Sequence, residues 1–283
     1  MSVAFKIYQY VRIRPSVACS KALMVALVVS LASCLMAPPV EETKAFANAA
    51  DAVSDAGAIL FDSLAVAERQ RHDAIFKKSI ADKYTFKVAD AAYFATIGEP
   101  PNTATFRHSL TVVTAYADLL VSLAEAKDVA STKSHMVEIS SSIGAIGGLT
   151  GVEAAVGALS PIIDHALRAS SIAEARRLVL EGAPLIEALL AALKNATPEI
   201  FNALIYFDRQ DPLPNEEQVA NLATQRTKVA NFVVLLDQLA ATFRLLVQGI
   251  ERPNGRLTLS ELATETALLR ADVEAARKFM VGR

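Results

Sequence analysis

Residues 222–250, LATQRTKVANFVVLLDQLAATFRLLVQGI, carry the longest regular hydrophobic pattern in the chain. The pattern predicts a helix of about 35 residues from Asn215 onward, roughly 50 Å long at 1.5 Å per residue. Apolar residues beside the main series widen the stripe, so we expect several helices to enclose this one rather than a single coiled-coil partner. Those flanking residues are Phe232, Val234, Leu235, Leu239 and Leu245. The heptad-like series, interrupted only by an arginine, is Leu222, Arg226, Val229, Val233, Leu236, Ala240, Phe243, Val247 and Ile250.

A second long amphipathic helix is predicted from Lys44 to about Lys83. Its apolar residues also recur at alternating steps of three and four, and charged residues such as Glu68 are assigned to its other faces. The two long helices, first and near-last in the chain, are expected to frame shorter ones. The apolar series is Phe46, Ala50, Val53, Gly57, Leu60, Leu64 and Ala67.

Prolines and glycines divide the chain between these two helices. An aromatic-rich segment, 84–97, ends at Gly98-Glu99-Pro100-Pro101, where two prolines cannot extend a helix. Asn102 is predicted to cap the next helix, Thr103 to about Asp128. The residues of that helix with buried-face spacing are Leu110, Val113, Ala117, Leu120 and Leu123.

The middle third is predicted to form several helices of about 10 to 15 residues each. Ser160-Pro161 is expected to start one helix, and a capping box of Ser171 and Glu174 to start another. Gly182 with Pro184, and then Thr197-Pro198-Glu199, are expected to interrupt helices.

The last part of the chain contains the clearest loop, 207–215 (FDRQDPLPN), and a predicted turn at Pro253-Asn254-Gly255. Thr258 and Glu261 are expected to form a capping box for a final helix that buries Leu268, Val273 and Ala276. No strand alternation of useful length is present. The sequence therefore predicts an all-α, elongated up-down bundle of about six to eight helices, with residues 44–283 as a single domain.

A glycine-rich apolar segment, 139–163, holds five of the 11 glycines and one charged residue, Glu153. One hypothesis is a central helix or helical hairpin in which Gly144, Gly148 and Gly151 let a neighbouring backbone approach closely. The other is a segment that inserts conditionally into a bilayer, although Glu153 would cost about 2.5 kcal/mol or more if it faced lipid. The candidate membrane-contacting residues are Gly144, Gly147, Gly148, Gly151 and Gly157.

The N-terminus combines a basic stretch with an apolar run. Lys6, Arg12, Arg14 and Lys21 precede residues 22–32 (ALMVALVVSLA), and no acidic residue occurs before Glu41. This run is shorter than the roughly 20 apolar residues of a membrane-spanning helix, so it has the length of a signal-peptide core.

Leu31-Ala32-Ser33-Cys34 follows and resembles the lipobox of bacterial lipoproteins. The resemblance implies diacylglycerol on the Cys34 thiol, cleavage between Ser33 and Cys34, and an N-acyl chain on the new terminus. Residues 1–33 would be the cleaved signal peptide, and residues 34–43, with Pro38-Pro39, a tether. No other cofactor is expected. By the same resemblance, Leu35 after the cysteine favours the outer membrane, facing the periplasm, in a host with two membranes.

Three alternatives to the lipobox remain: an uncleaved membrane anchor, a conventional signal cleaved after Ala45-Phe46-Ala47, and a buried helix with an inert cysteine. Charges at Glu41, Glu42 and Lys44 disfavour the second, and the one-sided charge of the leader disfavours the third.

Composition narrows the function classes. The chain is 53% hydrophobic, above the usual 45–50% or so, and the processed chain would keep one cysteine, so a core without an internal disulfide must stabilise it. The leader carries four of the 28 basic residues and no acidic one, which takes the formal net charge from −2 to −6 on cleavage. An acidic chain of this kind is a poor candidate for binding nucleic acid.

No arrangement of residues predicts catalysis. The four histidines are scattered without metal-site spacing, and Asp208, Asp211 and Asn215 lack the ligand set of a calcium loop. There is no Gly-x-Ser-x-Gly elbow or phosphate-binding glycine loop, so the chain is not expected to be an enzyme.

Two principal hypotheses follow. The first is a lipid-anchored, non-catalytic bundle that acts as an interaction or scaffolding protein of the cell envelope, with a protein partner there and the membrane as its anchor. The second is a membrane-active protein that inserts residues 139–163. A third is a small-ligand carrier or an enzyme with a site between helices. The oligomeric state is not predicted.

Overall fold

The computed structural model describes residues 40–78, 85–125, 127–210, 215–251 and 256–281. Ser33, Cys34, the expected signal peptide and most of the expected tether lie outside these residues. The first helix begins at Val40, so the last four residues assigned to the tether are helical and Thr43 is buried.

Eight α-helices and two short 3₁₀ turns, Val88–Asp90 and Asp208–Gln210, make up the described part of the chain, which contains no strand. The prediction of an all-α bundle is confirmed. The helices are α1 (Val40–Lys78), α2 (Ala91–Phe94), α3 (Pro101–Ala124), α4 (Val129–Gly144), α5 (Thr150–Leu167), α6 (Ile172–Leu204), α7 (Glu216–Glu251) and α8 (Arg256–Met280).

Successive long helices run in opposite directions. Lys44 at the start of α1 pairs with Glu125 just after α3, at 2.7 Å, whereas Thr103 near the start of α3 contacts Glu68 near the end of α1. Helices α6 and α7 are also antiparallel. Lys194 on α6 pairs with Asp237 on α7, and Glu187, earlier on α6, pairs with Arg244, later on α7.

Aromatic side chains from α1, α3 and α7 form the centre of the core. The Phe61 ring stacks with Phe106 at 5.7 Å and meets Phe232 edge-on at 5.4 Å. Phe46 and Tyr116 both contact Phe243, at 5.8 and 6.0 Å. The predicted apolar series of α1 and α3 are buried at every position. Amphipathic periodicity alone therefore identifies these two helices and their inward faces.

The long helix predicted from the heptad-like series is α7, with 36 residues, but half of its inner positions differ from the prediction. Val229, Leu236, Phe243 and Ile250 are buried as expected. The second inner row is Phe232, Leu239 and Leu246, whereas the predicted Val233, Ala240 and Val247 are only partly buried. Because the apolar stripe is wide, either row could face the core. Packing against α1, α6 and α8 buries the row with the larger side chains, which begins with Phe232.

The prediction of short helices in the middle third is wrong, because α6 runs for 33 residues through Gly182, Pro184 and Pro198. Pro161 likewise lies inside α5 rather than at its start. A proline inside a helix costs about 3 kcal/mol through its missing N–H and its ring. All three rings lie at exposed positions, and burial of the opposite face outweighs the local penalty.

The predicted helix start agrees with the structure at α6 and differs from it at α3 and α8. Ser171 caps α6 as predicted, accepting a hydrogen bond from the Glu174 N–H at 3.2 Å. Asn102 does not cap α3, because that helix begins one residue earlier with Pro101 in its first turn. Two further corrections concern α8, which begins at Arg256 so that Thr258 lies inside it, and which buries Leu269 rather than Leu268.

The closest helix contacts at glycine occur outside the glycine-rich segment. A Cβ added at Gly57 would lie 3.0 Å from Leu110 and 3.1 Å from the Phe232 ring. A Cβ at Gly182 would lie 3.3 Å from the Tyr116 hydroxyl oxygen, which itself donates a hydrogen bond to the Val179 carbonyl. Gly57 and Gly182 therefore carry the close-approach role that the sequence assigned to Gly144, Gly148 and Gly151.

Substituting Gly57 by alanine is expected to lower the free energy of unfolding by about 1–2 kcal/mol, because overpacking of the core by the new methyl group outweighs the gain from a less flexible unfolded chain. Gly157→Ala is the matched control, since its Cβ would meet no atom within 4 Å on the exposed face of α5. That variant should gain about 0.4–1 kcal/mol through a less flexible unfolded chain. Urea unfolding followed by circular dichroism measures both values, and equal effects at the two sites would contradict this packing.

Candidate functional site

The glycine-rich segment forms a helical hairpin. It comprises the second part of α4, a turn at 145–149 and most of α5, and its larger apolar side chains face the core. The buried members are Ile139, Val152, Val156, Leu159 and Ile163.

The five glycines singled out from the sequence have three different environments. Gly144, Gly151 and Gly157 are exposed, and a Cβ added at any of the three would lie at least 3.9 Å from every other atom outside its own helix backbone. Gly148 has φ of +89°, the left-handed region that favours glycine, and its N–H donates to Glu153 at 2.5 Å. The Gly147 carbonyl accepts a hydrogen bond from the Thr105 hydroxyl on α3. The glycines therefore build a turn and an exposed helix face, and the prediction of close backbone approach at Gly144, Gly148 and Gly151 is wrong.

Among the described residues, α7 is the one helix long and apolar enough to cross a membrane by length and composition. The same test is passed by core helices of soluble proteins, and the Phe232, Leu239 and Leu246 side chains of α7 are buried.

The surface features of interest lie at the end of the bundle where α1, α4 and α6 finish and α3, α5 and α7 begin. We call this the distal end, because it is opposite Val40. It carries an exposed loop and two cavities that lie next to each other.

The loop is residues 85–98, which we call the strap, and it is fastened to the end of α1 by aromatic stacking. The Tyr93 ring lies parallel to His72, with centroids 4.2 Å apart and planes 6° apart. Phe94 contacts the His72 and Phe76 rings edge-on, each at 5.2 Å. Arg69 donates a 2.8 Å hydrogen bond to the Gly98 carbonyl at the end of the strap.

Three further apolar side chains of the strap are exposed. Phe86, Val88 and Ile97 are 72%, 83% and 82% exposed. Single exposed apolar residues are ordinary, but several within one short loop indicate an interaction site.

A buried carboxylate joins α1 to the start of α3 beside the strap. Glu68 is only 5% exposed, and its Oε2 accepts hydrogen bonds from the Thr103 N–H at 2.8 Å and the Thr103 hydroxyl at 2.6 Å. Pro100, which precedes α3, supplies no side-chain cap. Glu68 therefore serves as the N-terminal cap of α3, supplied from another helix. The assignment of Glu68 to an outer face of α1 is wrong.

Burial, followed by the charges of Glu68 and Asp90, raises the pKa of Tyr93 above its ordinary value. The Tyr93 hydroxyl is therefore neutral across the physiological range and serves the strap as a stacking group. Among the described residues, no group of three or more histidine, cysteine, aspartate or glutamate side chains is placed to hold a metal ion.

The first cavity, the cationic cleft, lies between the ends of α1 and α6 and has a volume of about 510 Å³. The Arg71 guanidinium lies 5.5 Å from the Tyr206 ring centroid, and Arg209 donates to Asn202 at 3.3 Å. Across the described residues, no carboxylate lies within ion-pair distance of the three cations. The lining residues are Arg71, Lys78, Glu199, Asn202, Tyr206 and Arg209.

The second cavity, the alanine groove, runs between the start of α5 and α6 and has a volume of about 480 Å³. Glu199 lines both cavities, so the groove and the cleft are adjacent. Its walls are largely small and apolar, and include Leu149, Val152, Ala188, Ala191, Ala192 and Ala196.

Sequence reasoning identified none of the three distal features. The aromatic content of 84–97 was noted, but no exposed loop was predicted there; within 85–97 the helical residues are those of α2 and one 3₁₀ turn. Arg71 and Lys78 lie two turns apart on α1, but Arg209 is distant from them in the chain, and no short motif joins the three cations.

Comparison of the chain with protein-family models, with curated proteins and with solved structures finds no match. The fold and the distal end define a class: an all-α, up-and-down helical bundle with an exposed apolar strap and a cationic cleft at one end.

Proposed function

We propose that this protein is a lipid-anchored, non-catalytic lipoprotein of the cell envelope that binds a partner protein through its strap. The supporting observation is the exposure of Phe86, Val88 and Ile97 on a loop that Tyr93 and Phe94 hold against α1. Leaving these side chains in water forgoes the burial energy of about 1.5–3 kcal/mol that each could gain. A protein partner that covers the strap would recover that energy.

The position of the strap suits an anchored protein. Cys34 precedes the start of α1 by six residues, and α1 has 39 residues, so it is about 58 Å long at 1.5 Å per residue. A lipid on Cys34 would hold the Val40 end near the membrane, and the strap would face the periplasm in a host with two membranes.

Packing at the start of α1 supports cleavage before Cys34 over cleavage after Ala47. Phe46 is fully buried and contacts Phe243 at 5.8 Å. Removal of the chain through Ala47 would delete this core side chain and the first two turns of α1. Burial of a phenylalanine of this kind is worth several kcal/mol, so the processed domain would lose much of its stability.

Packing of the glycine-rich hairpin supports the interaction hypothesis over membrane insertion. Insertion of residues 139–163 would remove Ile139, Leu159 and Ile163 from the core. These losses come in addition to the cost of placing a carboxylate in lipid.

A photo-crosslinking amino acid placed at Val88 or at Ile97 in cells tests the strap as a docking surface. We expect both positions to give one adduct of the same mass, and Phe86→Ser to weaken it. Position 137 is the matched control, since Val137 is a 58% exposed valine on α4. Equal adducts from all three positions, or none from 88 and 97, would contradict the proposal.

A further inference from the structure

The cationic cleft and the alanine groove share one face of α6. Residues on that face recur at steps of four and three, and they form one helical stripe from the groove into the cleft. At 1.5 Å per residue the helical stripe from Ala188 to Asn202 is about 21 Å long. Its members are Ala188, Ala192, Asn195, Glu199 and Asn202, and Tyr206 lines the cleft from the turn after α6.

We propose that this stripe binds an anionic amphiphile, with its carboxylate or phosphate in the cationic cleft and its apolar tail along the alanine groove. The site uses none of the exposed residues of the strap, so this inference does not depend on the partner proposed above.

The positive charges of the cleft favour a ligand with an anionic head group. Arg71 and Lys78 from α1 and Arg209 from the segment after α6 line a single space with Glu199 as its one carboxylate. Like charges that share a cavity repel one another, and a bound anion replaces this repulsion with attraction. The Asn202 amide and the Tyr206 hydroxyl add neutral hydrogen-bonding groups to the same lining.

The groove favours an apolar tail over a peptide. Its long wall is the middle of α6, whose backbone N–H and C=O groups are engaged in the helix, and the side chains there are mostly alanine. An extended peptide would therefore find few hydrogen-bond partners for its amides along this wall. An alkyl tail has no polar group to satisfy.

The test uses the full-length lipidated protein in isolated membranes and a diazirine-bearing fatty acid, with adducts located by peptide mass spectrometry. An alkyl phosphate probe of the same chain length distinguishes a phosphate head group from a carboxylate, and the corresponding alcohol is the uncharged control. We expect labelling between residues 185 and 209 by one or both anionic probes, about tenfold above the alcohol, as one lost charge-assisted hydrogen bond implies. Labelling by the fatty acid alone assigns a carboxylate ligand, and labelling by the phosphate alone assigns a phosphate ligand.

Two variants test the two halves of the site. The double variant Lys78→Glu, Arg209→Glu should reduce labelling at least about tenfold, and Ala191→Trp should reduce it by filling the groove. Lys133→Glu on α4 is the control for a charge reversal outside the cleft and should leave labelling unchanged. Equal labelling by the alcohol, or labelling indifferent to both cleft and groove variants, would overturn the proposal. Labelling that a polyglutamate peptide displaces from the cleft, with no adduct along Ala188–Ala196, would overturn it in favour of an acidic protein segment.

Discussion

Phe61→Ala is expected to lower the free energy of unfolding by about 3–5 kcal/mol, the largest effect of any single substitution considered. Phe61 is fully buried at the point where α1, α3 and α7 meet, and its ring contacts both Phe106 and Phe232. Truncation removes two aromatic contacts and leaves a cavity between three helices. Flanking rings cannot move in to fill it without giving up their own contacts.

Chemical denaturation with circular dichroism and near-ultraviolet detection measures the loss. Phe86→Ala is the matched control, because Phe86 is 72% exposed on the strap, and its effect should stay within about 0.5 kcal/mol. A loss below about 1 kcal/mol for Phe61→Ala would show that α1 is not at the centre of the core.

Glu68→Ala is expected to cost about 2–3 kcal/mol, because it removes two hydrogen bonds to a buried carboxylate and leaves the Thr103 N–H without a partner. The negative charge also lies at the positive end of α3, whose preceding residue, Pro100, offers no cap. The effect should extend to the first turn of α3 and to the adjoining strap.

Hydrogen exchange at the amides of residues 103–106 is the specific readout, and we expect it to accelerate more than exchange in the middle of α3. Glu153→Ala provides the comparison, since Glu153 caps an exposed N–H at Gly148 and its loss should cost at most about 1 kcal/mol. Unchanged exchange at 103–106 in Glu68→Ala would contradict the cap.

Hydrophobic periodicity correctly predicted the helices and buried faces that are determined by the spacing of nearby residues. The apolar series that begins with Phe46 on α1 and the series of α3 were correct at every position, since polar residues on the outer faces left one inward face. Where apolar residues exceed one face, as beside Val233 on α7, only the packing of neighbours decides which row is buried. The prediction that Pro184 interrupts a helix was wrong. The sequence shows the local cost of a proline in a helix, but it does not show the burial of the opposite helix face that outweighs this cost.

The distal features depend on contacts between residues far apart in the chain. One clue to Glu68 was present, since it follows Leu64 by four residues and so lies on the buried face of α1. The stacking of Tyr93 on His72 and the meeting of Lys78 with Arg209 have no counterpart in spacing or motif. Such sites become visible only once α1 and α6 are placed side by side.

The proposed envelope function requires a lipid on Cys34, the residue that would hold the bundle at the membrane. Growth of the host with radiolabelled palmitate, followed by isolation of the protein and mass analysis of its N-terminus, measures this directly. We expect label in a chain that begins at Cys34, and Cys34→Ala should abolish the label and leave unprocessed precursor. Label retained in Cys34→Ala, or an unlabelled chain that begins after Ala47, would contradict the lipid anchor.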